Sequence, residues 1–112
     1  MPFNVITSTQ FLSDLKPLAK KYPSALEDLK ALIGKLENNP FFESEPLGQD
    51  CYKIRLAITS KGRGKSGGSR VITCVKVMAN DVHLVSIYDK SEKENIADKD
   101  LTRRLKKIFE DN

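Results

Sequence analysis

Two rhythms of apolar residues divide the chain. Phe11, Leu12, Leu15, Leu18, Ala19 and Tyr22 recur at helical spacing, as do Leu29, Leu32, Ile33 and Leu36 further on. Thr7, Ser8 and Thr9 precede the first run as candidate N-caps, and Ser24 with Glu27 three residues later has the form of a capping box for the second. Pro17 lies inside the first run and is expected to kink or split it, because it removes a backbone donor and crowds the preceding turn. The second run stops at Asn38-Asn39-Pro40, so the pattern predicts two helices joined by a short link, an antiparallel helical hairpin. Ahead of them, Phe3-Asn4-Val5-Ile6 reads as a short strand.

From Cys51 the period changes to two. Tyr52, Ile54, Leu56 and Ile58 alternate with Cys51, Lys53, Arg55 and Ala57, which predicts a strand with one face on a core and the other in solvent. Ser69 to Met78 and Val82 to Tyr88 read as two more strands, joined through Ala79-Asn80-Asp81 into an antiparallel hairpin. Between the helices and these strands, Pro40 to Asp50 has turn residues and no period, and is expected to be a loop pinned by Phe41, Phe42 and Leu47. Ser91 and Glu94 suggest another capping box, followed by a helix with Leu101, Leu105, Ile108 and Phe109 on its apolar side. The sum is an α+β domain: an antiparallel sheet packed against an N-terminal helical hairpin, with a C-terminal helix. A chain of 112 residues without internal repeat or linker is expected to be one domain over residues 1–112.

Composition narrows the chemistry. Two cysteines without a C-x-x-C and a single histidine support neither a disulfide framework nor a zinc site, so no metal or cofactor is expected, and Cys51 and Cys74 read as small buried hydrophobes. Apolar runs are far shorter than the ~20 residues a membrane span needs, and Met1-Pro2-Phe3-Asn4 has no signal-peptide character, so the expected location is the cytoplasm.

Charge changes the picture more. Net charge is +4, but Cys51 to Asn80 holds Lys53, Arg55, Lys61, Arg63, Lys65, Arg70 and Lys76 with no Asp or Glu, a local +7 that leaves the remainder at −3. Such confinement favours a polyanionic partner. Lys61-Gly62-Arg63-Gly64-Lys65-Ser66-Gly67-Gly68 alternates cations with glycines, a composition that lets backbone amides approach a phosphate. It lacks the G-x-x-x-x-G-K-[ST] spacing of a nucleotide-binding loop. The same composition suits a solvated hairpin loop, and what favours contact with a polyanion such as RNA is that the flanking strands themselves carry Lys53, Arg55 and Arg70. His83, mid-strand, reads as a structural or exposed histidine, and Tyr52 and Tyr88 as core aromatics.

Three stretches, Cys51-Tyr52-Lys53-Ile54-Arg55-Leu56, Ser60 to Ile72 ("SKGRGKSGGSRVI") and Ser86-Ile87-Tyr88-Asp89-Lys90-Ser91-Glu92, resemble the RelE/ParE superfamily of toxins, most closely its HigB-like branch. The likeness runs in element order from about Val5 to Ile108. It implies a RelE-like fold and a ribosome-dependent endoribonuclease that cuts translated mRNA and is held inactive by a cognate antitoxin protein. Cleavage through the RNA's own 2′-hydroxyl needs a base for that hydroxyl, positive charge on the phosphorane and an acid for the leaving oxygen. A lysine crowded by cations loses its proton more readily, and arginine's planar fork suits phosphate oxygens. By resemblance, Arg70 is the phosphorane stabiliser and Lys53 or Arg55 lies near the 2′-hydroxyl. Lys90, or else Tyr88, stands in for the general acid, and Lys61, Arg63, Lys65 and Lys76 are expected to hold the RNA. Two other readings fit the same fold: a ParE-like toxin that inhibits gyrase by binding it, and an RNA- or ribosome-binding module that does not cut.

Overall fold

The computed structural model describes residues 2–110. Its elements run β1 (Asn4–Thr7), α1 (Thr9–Lys21), α2 (Ala25–Asn38), β2 (Ser44–Gly48), β3 (Cys51–Leu56), the single turn α3 (Gly64–Gly67), β4 (Ser69–Lys76), β5 (Asp81–Asp89) and α4 (Asp98–Phe109). The strands form one five-stranded sheet in the order β1-β5-β4-β3-β2. This is the α+β class expected, with one difference in the sheet: β1 lies parallel to β5, which makes it mixed rather than antiparallel.

Local capping explains some boundaries and corrects others. Ser8 caps α1, its hydroxyl accepting from the Phe11 amide at 3.1 Å. Helix α1 then runs on through Pro17, which does not split it. The Ser24–Glu27 box does not form, because the Ser24 hydroxyl donates to Asp28 (2.8 Å) and bonds the Ser60 hydroxyl instead. Asp28 in turn accepts from the Thr59 amide and hydroxyl (2.8 and 2.6 Å), tying the chain after β3 to the start of α2. Burial opposes the Asp28 carboxylate, but these donors outweigh it and hold its carboxyl below the ordinary range. The Ser91–Glu94 box is also absent, since α4 begins seven residues after Ser91.

The stretch expected to be a loop contains β2, an edge strand paired antiparallel with β3. Pro46 survives there because an edge strand has an outer side that need not donate. Gln49 and Asp50, between the paired Gly48 and Cys51, both have positive φ, as a tight hairpin turn of the primed kind demands.

Both faces of the sheet are covered, which corrects the expected open face. On one side Phe11, Leu15 and Leu18 of α1 and Ala25, Leu29, Leu32 and Leu36 of α2 pack on Ile54, Val71, Val75, Val82, Leu84 and Ile87. Leu12, placed on that stripe by spacing, is half exposed. On the other side Cys51, Ile72, Cys74, Val85 and Tyr88 meet Ile96 and Leu101, with Leu105 and Ile108 against them. Helix α4 is pinned by Arg104, which bonds Asp14 of α1 (2.7 and 3.2 Å), the Val85 carbonyl (3.0 Å) and Asp100 (3.2 Å). Asp14 also accepts from the Ile87 amide and Ser86 hydroxyl on β5 (3.4 and 3.1 Å). No described helix is long and apolar enough to cross a membrane.

Candidate nucleic-acid interface

Register decides which cations meet. Along β3 and β4, Lys53 is paired with Ile72 and Arg55 with Arg70, and Arg70 is paired in turn with Tyr88 of β5. Side chains directly across a ladder share a face, so Lys53, Arg55, Arg70 and Tyr88 project to the α4 side of the sheet. The Val75 amide donates to the Asp50 carbonyl at 2.9 Å, which makes Cys51 and Cys74 a pair without mutual backbone bonds. Pair types alternate, so Arg55 and Arg70 are also such a pair, the closer kind, with Cα atoms about 4.5 Å apart. Like charges set directly opposite destabilise a sheet, and this pair is kept only because acidic and carbonyl oxygens surround it.

Arg70 is 1% exposed. Its Nη1 donates to the Lys65 and Ser69 carbonyls (both 3.2 Å), its Nη2 to the Ser66 carbonyl (3.3 Å), and Glu94 lies 3.7 Å from Nη2. The guanidinium thereby gathers the carbonyls of α3, and its Nε is buried with no partner. The turn it gathers is tight. A Cβ on Gly68 would stand 2.2 Å from the Leu56 carbonyl oxygen, so only glycine fits where this segment crosses the end of β3, and Gly62 enters the turn with φ of 72°. The glycine-cation stretch is therefore an ordered 3-10 turn and helical turn, not an open hairpin loop.

Lys53 is 7% exposed, its ammonium donating to the Asn95 side-chain oxygen at 2.9 Å with Glu45 at 3.9 Å. Arg55 is half exposed and paired with Glu45 at 3.8 Å. Lys90 stands one residue beyond β5, its amide bonded to the Gly68 carbonyl (3.1 Å), at the same end of the sheet as Arg55 and Arg70. The side chains of Lys90 and Arg63 make no hydrogen bond or ion pair among the described residues, whereas Lys65 is paired with Glu43. Tyr88 is buried, with its hydroxyl donating to the Glu94 carbonyl (3.5 Å) and Lys93 over its ring. Burial, and Glu94 to a lesser degree, push the phenol above its ordinary value despite the Ile96 amide and Arg70, so it holds its proton at neutral pH.

Two expected RNA-binding lysines do not join this group. Lys61 turns to the other face, its ammonium on Asp89 at 2.6 Å beside the Tyr22 ring. Burial works against the Asp89 carboxylate, but Lys61, the Ser91 amide and hydroxyl and the Tyr22 hydroxyl outweigh it and hold its carboxyl far below the usual range. Lys76 sits at the opposite end of β4, paired with Asp50 (3.3 Å) and over Phe109; six residues of strand put it about 20 Å from Arg70. Sequence reasoning missed Glu45, Glu94 and Asn95, the groups that meet Arg55, Arg70 and Lys53. A usable signal was present: α4 is amphipathic and needed an apolar bed, which only the second face of the sheet supplies. His83 packs edge-on against Phe109 (4.8 Å), and burial lowers its pKa, in keeping with a structural role. Among the described residues no cluster could hold a metal ion.

The arrangement can therefore do what a phosphodiester gaining negative charge in its transition state requires: three cations of β3 and β4 on one face, two further unpaired cations at the same end, and a protonated phenol beside Arg70. Residues 13–110 match the family model described as the RelE toxin of the RelE/RelB toxin-antitoxin system. Among solved structures the chain is similar to the RelE toxin of Escherichia coli, as a free mutant (19% identity, 97% of this chain and 100% of that one, TM-score 0.64) and as the isolated toxin (21%, 96% and 99%, 0.56). It is also similar to a chain of the toxin-antitoxin complex RelBE2 from Mycobacterium tuberculosis (17%, 80% and 92%, 0.60). No curated protein matches it in sequence.

Proposed function

The chain belongs to the family of RelE toxins of RelE/RelB toxin-antitoxin systems, and from that membership and the geometry above we propose that it is an endoribonuclease cutting translated mRNA on the ribosome. The observation that carries the reading is the direct opposition of Arg55 and Arg70 with Lys53 two residues along the same face. A sheet tolerates that arrangement at a cost, and a phosphodiester in transit to a phosphorane is what three converging cations stabilise best.

In this reading Arg70, immobilised by three carbonyls, presents fixed positive charge to the phosphorane. Preorganised charge of this kind needs no rearrangement as the transition state forms. Lys53 serves as base for the 2′-hydroxyl, and Arg55 neutralises a non-bridging oxygen. For the leaving 5′-oxygen, Lys90 at the mouth of the face or Tyr88 beside Arg70 supplies the proton; the raised pKa of Tyr88 keeps that proton available. Arg63 and Lys65 flank the face and hold the RNA backbone. The physiological partner that restrains the toxin is a cognate antitoxin protein, and the setting is the cytoplasm.

The test is induction of the chain alone in growing cells with primer extension across translated messages. Breaks at ribosome-occupied codons, lost with Arg70→Ala, are expected. Growth arrest with intact messages sinks the nuclease assignment and leaves the gyrase-binding alternative. Arrest with purified ribosomes bound but RNA uncut leaves the non-cleaving alternative.

A further inference from the structure

The cations expected to work on RNA are the ones least open to it. Arg70 and Lys53 are almost wholly buried, and besides the α3 carbonyls on Arg70 and Glu45 on Lys53 the segment between β5 and α4, residues 90–97, lies against both. Glu94 from that segment approaches Arg70 at 3.7 Å, and the next residue, Asn95, accepts from Lys53 at 2.9 Å. Ile96 follows and anchors the strap in the apolar cluster under α4, while the Glu94 carbonyl rests on the Tyr88 hydroxyl.

The chemistry of these contacts is that of a phosphodiester. An arginine offers two parallel donors, Nε and Nη2, on one edge, the fork that takes two oxygens of a phosphate or carboxylate. In Arg70 that edge is poorly served: Nε has no acceptor although it is buried, and Nη2 has the Ser66 carbonyl at 3.3 Å and one Glu94 oxygen at a long 3.7 Å. A buried N–H left unmatched is costly, so the fork retains capacity for a better acceptor than the one it has. Glu94 is itself half exposed and free to leave. Glu45, from edge strand β2, stands in the same relation to Arg55 (3.8 Å) and Lys53 (3.9 Å).

We infer that the segment from Lys90 to Ala97 is an internal competitor of the RNA backbone, with Glu94 and Asn95 occupying the donors of Arg70 and Lys53 that a phosphodiester takes when the strap lifts. The inference rests on the RNA-cleaving reading and adds its regulation: the resting chain holds its own site shut, and substrate must displace an anion already inside the protein.

The experiment uses the full chain and a 2′-O-methyl oligoribonucleotide, which cannot be cut through its 2′-oxygen, with binding read by fluorescence anisotropy at fixed ionic strength. Glu94→Gln is expected to bind roughly three- to tenfold tighter than the parent. Glu92→Gln removes the same charge from the same strap but not from Arg70, and is expected to stay within about twofold of the parent. In the parent, hydrogen exchange of the amides from 90 to 97 is expected to quicken on binding. Equal effects of the two substitutions, weaker binding by Glu94→Gln, or slower or unchanged exchange in the strap each overturn the inference while leaving the nuclease reading intact. An oligonucleotide that binds none of the three proteins overturns the inference, and the primer-extension result then decides the nuclease reading by itself.

Discussion

The two faces of the sheet are built on opposite plans. Toward α1 and α2 the strands contribute mainly aliphatic side chains, joined by Tyr52, the helices supply a row of leucines, and the enclosed polar groups are few, such as Thr73 opposite Tyr52 and Asp89 held by Lys61. Toward α4 the apolar patch is confined to the end of the sheet nearer Cys51 and Cys74, and gives way along β3 and β4 to Lys53, Arg55 and Arg70. Burial of aliphatic surface contributes of the order of 25 cal/mol per Å2, so the first face carries most of the stability and the second is at liberty to carry unfavourable charge. The same sheet thus separates holding the fold from doing the chemistry, strand by strand, with a period of two.

That division can be broken from either side. The largest expected effect on folding is on the first face: Phe11→Ala, at a fully buried position, should cost about 3–5 kcal/mol, read as a lower urea midpoint, and should affect RNA cleavage only through the unfolded fraction. On the second face the pattern should invert. Lys53→Met should depress cleavage by about two to three orders of magnitude, measured as single-turnover rate, while changing the unfolding free energy from urea titration by no more than about 1 kcal/mol. Arg104→Ala tests the hinge between the two faces, since it leaves Asp14 without its cation; a loss of about 3 kcal/mol and early hydrogen exchange in α4 are expected.

The smallest effect is a matter of pH. Asp89 keeps a depressed carboxyl pKa in the folded state, so the stability it contributes is complete above the ordinary aspartate value of about 3.9 and drains away as pH falls from there through its lower folded value. Asp89→Asn should flatten the stability curve below about pH 4 in thermal melts and lower it above. A parallel shift at all pH values would show that Lys61 and Asp89 contribute through packing alone.

Helix positions and the three later strands were legible because their signals are local: spacing of 3.6 or 2, a serine cap, a terminating proline. The edge strand β2 was not, because Ser44-Glu45-Pro46-Leu47-Gly48 has neither alternation nor β-branched residues and exists only because β3 offers it a ladder. Pro17 did not split α1 for the converse reason, tertiary packing of Phe11, Leu15 and Leu18 carrying the helix across a local defect. Of the candidate site, Lys53, Arg55 and Arg70 do share one face, as alternation within β3 and a strand at Arg70 implied. Lys61 and Lys76 were grouped with them only by nearness in sequence, which the 3-10 turn that carries Lys61 toward Asp89 and the length of β4 both defeat.

By itself the sequence determined the charge, its confinement to one stretch, and the alternation that puts the cations of a strand on one side. Only the tertiary structure decided that Arg55 would stand opposite Arg70, that β1 would run parallel to β5, and that Glu94 and Asn95 would close over the result. The reason is that alternation is a property of one strand, whereas register and covering depend on partners dozens of residues away, whose choice is made by the core they bury together.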